Sequence, residues 1–385
     1  MYFLDLIGSL NMKCIELKGL NQLFIHLKKK GYDLVGPVVK DGAIVYGEID
    51  SPADLPAGWT DSQEKGSYRL LPRSDRALFG YSVGPQSLKR FLFPPMLKLW
   101  TAKKSGKAIR IKPQNHDTTA LAIFGVRSCD LHALFIQDKV FLGREQQGGH
   151  EDPYYRAQRD RLFLIAVNCA QAGSTCFCHS MGTGPAVSKG YDLLMTEVLN
   201  EEKHEFILEA GSQRGEEALE ELPGRPGEEK EKLAVEEIIR KTTSEMKRTV
   251  DTTGIQALFY ENQNHPRWEE TARRCLACGN CTMVCPTCFC STVEDSLDLS
   301  GLESNRMRKW DSCFSPDFSY IHGGAVRGTI RAKYRQWLTH KMAGWIEQFG
   351  TSGCVGCGRC ITWCPPGIDL TEEVKALKEK GLSSP

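Results

Sequence analysis

The sequence predicts an α/β domain over residues 1–260, followed by a helix-rich domain of the ferredoxin type over residues 261–385. Two continuous apolar runs in the first half are typical of buried parallel strands. A cysteine motif typical of ferredoxins occurs twice in the last third. The length of 385 residues leaves room for two or three domains.

Short segments of the first domain predict its strands and helices in order. The segment NQLFIHLKKKG has helical spacing, and LVGPVVKDGAIVYGEI contains two β-rich runs around the turn KDG. The runs TALAIFGV (119–126) and RLFLIAV (161–167) are apolar throughout. Between them DLHALFIQDKVFL has helical spacing, with Asp130 placed to cap its first turn. Together these segments predict a β-α-β unit with parallel strands.

A charged segment precedes the cysteine-rich part of the chain. Residues 211–232 are broken by Gly and Pro, which indicates a solvated insertion or linker. A helical stretch follows near residues 233–249, and cysteines dominate from residue 270 onwards. We therefore place the domain boundary near 250–268.

Composition and charge narrow the class of protein. Hydrophobic residues make up 41%, so a packed core can form, and a net charge of +1 gives no support for nucleic-acid binding. No run approaches the roughly 20 apolar residues that a membrane span needs. The opening MYFLDLIGSLNM carries Asp5 and lacks a basic region and a cleavage signal. We interpret it as a buried or partner-facing helix and expect a cytoplasmic protein.

Sixteen cysteines are many for such a chain, and in a reducing cytosol clustered cysteines more often bind metal or carry out redox chemistry. The segments CLACGNCTMVCPTCFC (275–290) and CVGCGRCITWCPP (354–366) both contain the spacing C-x2-C-x2-C-x3-C-P. In two-cluster ferredoxins, three close cysteines hold one [4Fe–4S] cluster and the fourth holds the other cluster. The spacing therefore predicts two clusters, one on Cys275, Cys278, Cys281 and Cys364, the other on Cys354, Cys357, Cys360 and Cys285.

Zinc is the alternative for paired C-x2-C motifs. The full spacing followed by Pro occurs twice here, which zinc sites seldom show. Cys285 and Cys354 are much farther apart than in a compact bacterial ferredoxin, and the segment between them contains FSYIHGGAVRGTIRAKYRQWLTHKMAGWIEQFG. Because this segment has helical character, we expect a helix-rich version of the ferredoxin-type domain.

Four further cysteines predict a third [4Fe–4S] cluster. Cys129 follows the first apolar run and Cys169 follows the second. Since ligands gather at the carboxyl ends of parallel strands, both thiols should emerge at one edge of the sheet. The loop NCAQAGSTCFC supplies two more, which completes a set of four: Cys129, Cys169, Cys176 and Cys178. A zinc site or buried free cysteines are the alternatives.

The remaining chemistry-bearing residues are harder to assign. Gly182 and Gly184 in SMGTGP have two interpretations: they let backbone amides approach a cluster, or they form an ordinary turn. Arg127 also has two: it offsets the charge of a cluster, or it forms an ion pair at the surface. We treat Cys14 as structural. The last three cysteines are interpreted as packing residues, additional ligands or a redox-active set: Cys288, Cys290 and Cys313.

Five motifs together resemble one protein family: FGVRSCDLHAL, NCAQAGSTCFCHSMGTGP, CLACGNCTMVCPTCFC, WDSCF and GCVGCGRCITWCPPGID. The family contains the iron–sulfur beta subunit of cytosolic NAD(P)-linked NiFe hydrogenases of the sulfhydrogenase type and the corresponding iron–sulfur subunit of anaerobic sulfite reductase. Related 4Fe–4S dicluster subunits occur in flavin-containing complexes that feed heterodisulfide reductase. The motifs span residues 119–369 and are specific to the family, but not to one member.

The resemblance implies an electron-transfer subunit between a flavin-containing, NAD(P)-binding reductase partner and a catalytic or iron–sulfur partner, with no flavin of its own. The sequence agrees with this expectation, because it has neither of two common nucleotide-binding motifs: no Walker sequence and no G-x-G-x-x-G motif that opens a helix. Two alternatives stay open. One is a self-sufficient reductase of a sulfur compound that uses Cys288, Cys290 or Cys313 as a thiolate. The other is a zinc scaffold without redox activity.

Overall fold

The computed structural model describes residues 12–114, 118–143, 150–201 and 203–380. The predicted helix at the opening of the chain lies outside these ranges, apart from its last residue. The strands of the described part are, in chain order, β1 (Lys13–Glu16), β2 (Asp33–Lys40), β3 (Ala43–Glu48), β4 (Trp59–Glu64), β5 (Ser67–Pro72), β6 (Met96–Ser105), β7 (Ala108–Pro113), β8 (Leu121–Val126), β9 (Leu162–Val167), β10 (Leu193–Leu199), β11 (His204–Ala210), β12 (Arg225–Pro226), β13 (Ser291–Leu297), β14 (Glu303–Trp310), β15 (Tyr320–Ile321) and β16 (Gly324–Ala325).

Helices alternate with these strands in the first half and dominate near the end. They are α1 (Leu17–Lys29), α2 (Lys89–Leu92), α3 (Ser128–Phe141), α4 (Pro153–Asp160), α5 (Gln213–Glu220), α6 (Glu229–Glu245), α7 (Ile255–Glu261), α8 (Arg267–Arg274), α9 (Asn280–Met283), α10 (Ile330–Thr339), α11 (Trp345–Phe349), α12 (Arg359–Thr362) and α13 (Leu370–Lys380). A short 3₁₀ helix covers Pro52–Asp54, and a π-helical turn, His340–Gly344, joins α10 to α11.

The main sheet has eight strands in the order β12-β1-β11-β10-β9-β8-β2-β3. Its centre is parallel, since β8 pairs in parallel with β2 and β9, and β9 pairs in parallel with β10. Nearly every residue of β8 and β9 is buried. Strands covered on both faces need apolar residues throughout, which explains the two continuous runs in the sequence. The predicted β-α-β unit is confirmed, with α3 and α4 between its strands.

Two local predictions differ from the structure. Arg127 is the N-cap of α3, and the cap makes no side-chain hydrogen bond, so Asp130 does not cap this helix. Asp130 is instead directed at Arg359, far along the chain. The charged segment 211–232 is also not a simple linker, because it contains α5, β12 and the start of α6. Ala218 and Leu219 of α5 are buried in the core, since they lie on one apolar face of an otherwise charged helix.

The two halves of the chain share a second sheet, of four strands, in the order β13-β14-β6-β7. In this sheet β14, which follows the predicted boundary near 250–268, pairs in antiparallel fashion with β6, which precedes it. The boundary itself stays a prediction. The C-terminal part contains strands β13 to β16 as well as helices, so the helix-rich description is not confirmed. No helix in the described ranges is long and apolar enough to cross a membrane.

Candidate metal centre

The cysteines of the first ferredoxin motif lie around one cavity. Cys275, Cys278, Cys281 and Cys364 line it together with Cys360, and the aromatic residues Phe314, Tyr334 and Trp337 form part of its wall. Backbone N–H groups point at two of the sulfurs: Ala277 N lies 3.4 Å from Cys275 Sγ, and Ile368 N lies 3.4 Å from Cys364 Sγ. Cys278 is exposed, whereas its three companions are half-buried, so this group reaches the protein surface.

The cysteines of the second motif lie deeper. Cys354 and Cys357 are buried and Cys360 is half-buried. Burial raises the pKa of Cys354 to about 12, and the neighbouring Cys357 and Cys285 sulfurs add to that rise. Burial also raises the pKa of Cys360, with further contributions from Cys354, Cys357, Cys285 and Cys281. The structure therefore brings Cys285 to the second motif, and Cys360 lies between the two groups.

A buried lysine holds Cys285. Lys341 comes from the π-helical turn between α10 and α11, a kind of turn that is frequent at functional sites. Its Nζ donates to Cys285 Sγ at 3.2 Å, Cys288 Sγ at 3.5 Å and Thr287 Oγ1 at 3.1 Å. A hydrogen bond from Cys288 lowers the pKa of Cys285 well below its usual value, and the charge of Lys341 lowers it further. Cys285 is therefore favoured as a thiolate.

The four upstream cysteines meet at the carboxyl edge of the parallel strands. Cys129 follows β8 in the first turn of α3, and Cys169 follows β9. Cys129 and Cys178 belong to one packed cluster of side chains. Burial raises the pKa of Cys178 well above its usual value, and the Cys176 and Cys169 sulfurs raise it further. The third predicted set is therefore gathered in one place.

Two glycines let the second motif touch the third set. Gly356 and Gly358 have φ angles of +64° and +75°. A Cβ atom on Gly356 would lie 2.6 Å from Cys178 Cα, and one on Gly358 would lie 2.4 Å from the carbonyl oxygen of Thr175. Phe177 N donates to the Gly356 carbonyl at 2.8 Å. Because both loops approach along their backbones, Cys357 packs in the same side-chain cluster as Cys129 and Cys178.

A buried arginine, Arg127, accompanies the third set. Arg127 donates to the carbonyl oxygens of Phe79 at 2.8 Å and Tyr81 at 3.1 Å. Its positive charge also lies close enough to Cys169 to counteract the rise that burial causes in the pKa of that cysteine. Arg127 is thus placed to offset negative charge, one of the two roles that the sequence suggested. Gly184 lies against Cys178, whereas Gly182 has open space around it.

The last three cysteines share a separate cavity beside the second group. Cys288, Cys290 and Cys313 line it and are half-buried. Interaction with the neighbouring Cys313 is the chief cause that lowers the pKa of Cys290 to about 7, against the opposing effect of burial. Cys14 lies apart from all these groups, buried beside Ile207 and Val235.

The donor chemistry fits iron–sulfur clusters. Each of the three predicted sets consists of four thiols, drawn from loops that the fold brings together. Within the described ranges, no group of three or more His, Cys, Asp or Glu side chains is placed to hold a single metal ion. Sequence reasoning missed Lys341 and Arg359, since a basic residue next to a cysteine or in a helix carries no local signal of burial.

Comparison with known proteins agrees with this donor set. Residues 274–368 match the family model of the 4Fe–4S dicluster domain, which spans both ferredoxin motifs. The chain is 33% identical over 260 residues to sulfhydrogenase 2 subunit beta of Pyrococcus furiosus, an alignment that covers 67% of this chain and 73% of the relative. No solved structure matches the chain. The protein is an iron–sulfur electron-transfer subunit, and it belongs to the family of iron–sulfur beta subunits that includes this sulfhydrogenase subunit.

Proposed function

We propose that the chain relays electrons along three [4Fe–4S] sites that form one continuous path. The observation that carries the proposal is the adjacency of the thiol groups. Cys281 and Cys360 adjoin across the first two groups, and Cys357 packs against Cys129 and Cys178 of the third. The path begins at the exposed Cys278 and ends at the edge of the main sheet near Cys169.

Twelve cysteines would hold the three clusters in this proposal. When bound, [4Fe–4S] clusters take up and release single electrons. The ligands would be Cys275, Cys278, Cys281 and Cys364 for the first, Cys354, Cys357, Cys360 and Cys285 for the second, and Cys129, Cys169, Cys176 and Cys178 for the third.

The role of the surrounding chain is to tune charge and exclude water. The side chain of Lys341 places a positive charge next to the sulfur of Cys285, and the side chain of Arg127 places one near the sulfur of Cys169. Aromatic side chains such as Phe314 and Trp337 limit the access of water to the first group. Charge, hydrogen bonds to sulfur and burial are the factors by which a protein sets the reduction potential of a cluster. We propose no catalytic residue for this chain.

Membership of the family supports a proposal about the protein partners of this chain. The Pyrococcus relative is named as a subunit of a sulfhydrogenase. We propose that this chain joins a flavin-containing, NAD(P)-binding reductase subunit to a catalytic subunit of the hydrogenase, sulfite reductase or heterodisulfide reductase type, and carries no flavin itself. The exposed end at Cys278 supports a contact with one such partner, because electrons need a short path to the surface.

Metal analysis of protein purified without oxygen tests the proposal. We expect about 12 iron and 12 acid-labile sulfide per chain, and about eight of each in a Cys129→Ser, Cys178→Ser double variant. Cys14→Ala serves as the control and should retain the native content.

Reductive titration should show uptake of about three electrons per native chain, one for each cluster. About eight iron in the native chain would contradict the third site. Turnover of a sulfur compound that is sustained by an electron donor and needs no partner would contradict a pure relay.

A further inference from the structure

A further cavity lies where the second motif meets the third thiol set. It has a volume of about 490 Å³, which falls in the range of small-molecule sites. Cys354 of the second group and Val355 form one part of its wall, and Met181 and Thr183, which follow the third set, form another. Thr183 Oγ1 donates to the carbonyl of Val355 at 2.7 Å, so the two parts are held together. A compound in this cavity would therefore lie beside a proposed cluster ligand.

One face of α3 forms a third part of the wall. The residues of this face lie at helical positions i, i+3, i+4 and i+7, which bring side chains to the same side of a helix: His132, Phe135, Ile136 and Lys139. The half-buried ring of Phe135 is flanked by two basic groups. The His132 ring centroid lies 6.0 Å from the Phe135 centroid, and Lys189 Nζ lies 5.5 Å from it. The wall thus combines a flat apolar ring with basic side chains.

The charge of the cavity favours an anion. None of the described residues that line it is Asp or Glu, whereas both Lys139 and Lys189 line it. Lys139 Nζ donates to the carbonyl of Phe349 at 2.9 Å, and the exposed Lys189 has no ion-pair partner within the described ranges. Thr252 and Thr351 add hydroxyl groups, which are able to donate to an anion. Together with the Phe135 ring, these groups suit an anion that carries a flat apolar part.

We propose that this cavity binds a small anion that carries an aromatic ring, and that the bound anion makes the reduction potential of the second cluster more negative. Phe135 packs against the ring, and Lys189 binds the anionic group. The binding itself needs no cluster. The effect on the potential rests on the proposed function, since it requires a cluster on Cys354. A nearby negative charge disfavours the added electron, and by linkage the reduced cluster weakens the binding of the anion by the same factor.

Calorimetric titration of the full chain, purified without oxygen, with phenyl phosphate tests the binding. We expect one saturable site per chain, and binding about tenfold weaker or more for inorganic phosphate and for phenol, because each of them makes only part of the contacts. Lys189→Gln should weaken the binding of phenyl phosphate about tenfold, the effect of losing one charge-assisted hydrogen bond. Phe135→Leu should weaken it as well, but should leave the binding of inorganic phosphate unchanged. Lys18→Gln, which changes an exposed lysine of α1, is the matched control.

Redox titration followed by electron paramagnetic resonance, with and without phenyl phosphate, tests the effect on the second cluster. The potential should be more negative with phenyl phosphate, and electrochemical reduction of the chain should weaken the binding about fivefold, the low end of the usual coupling between two sites.

Three results would overturn the binding site: no saturable binding of phenyl phosphate, equally tight binding of inorganic phosphate, or native affinity in Lys189→Gln. Binding that leaves the potential of the second cluster unchanged would overturn the coupling. The iron content of the chain, measured separately, tests the relay, so a failure of this proposal is distinguishable from a failure of the proposed function.

Discussion

Arg359 and Asp130 form an ion pair in which both side chains are only 1% exposed. Arg359 Nη1 lies 2.8 Å from Asp130 Oδ1, and Nη2 donates to Oδ2 at 3.0 Å. Arg359 belongs to the second ferredoxin motif, and Asp130 lies in the first turn of α3, beside Cys129. The guanidinium also donates to the carbonyl oxygens of Gly84 and Gln86. This pair joins the cysteine-rich part of the chain to the parallel sheet.

Removal of one partner of this pair should destabilise the protein strongly. We expect Arg359→Met to lower the free energy of unfolding by about 3–5 kcal/mol, because it leaves the Asp130 carboxylate buried and unpaired. Denaturant unfolding under anaerobic conditions measures the change. The control is Arg240→Gln, which breaks the exposed pair with Glu237 and should cost no more than about 1 kcal/mol. Equal losses in the two variants would contradict a structural role for the buried pair.

The contact between the second motif and the third thiol set should depend on Gly356. A methyl group there would lie 2.6 Å from Cys178 Cα, so Gly356→Ala should separate the loops and reduce the iron content. Gly301 has a similar φ of +69° with no atom nearby, which makes Gly301→Ala a control for backbone strain alone. Iron per chain and the unfolding midpoint are the measurements. If the two variants lose equal amounts of iron, the close approach is not what matters.

The charge of Lys341 should set the reduction potential of one cluster. Lys341→Met removes the positive charge beside Cys285 and should make that potential more negative, because a cation stabilises the more negative, reduced state. Lys341→Arg keeps the charge and should keep the potential closer to the native value. Redox titration followed by electron paramagnetic resonance measures both variants. An unchanged potential in Lys341→Met would show that Cys285 is not a ligand or that Lys341 is screened from the cluster.

The reactivity of Cys290 should follow pH with a midpoint near 7. Its pKa is lowered to about 7, chiefly by interaction with Cys313, so the reactive thiolate becomes the major form as the pH rises through that value. In Cys313→Ala the midpoint should move up toward about 8.5, the usual value for a cysteine. Alkylation with iodoacetamide, read peptide by peptide, measures the rate. The same midpoint in both proteins would rule out Cys313 as the cause.

The local sequence pattern was sufficient to predict part of the fold and part of the candidate site. The runs that became β8 and β9 were predicted because strands buried on both faces must be apolar throughout. The grouping of Cys275, Cys278 and Cys281 was predicted because short loops return the chain to the same place. The charged segment 211–232 was misjudged, since its Gly and Pro residues concealed the apolar face of α5, where Ala218 and Leu219 are buried.

The order of residues along the chain is enough to establish which side chains are present and which short loops bring thiols together. The distant groups that meet those thiols are known only from the folded chain. Asp130 and Arg359 are 229 positions apart, and Lys341 reaches Cys285 from 56 positions away. Such partners leave no periodic or spacing signal, because their contact depends on the packing of whole elements. The approach of Gly356 to Cys178, which joins the second thiol set to the third, likewise exists only once the two loops are packed.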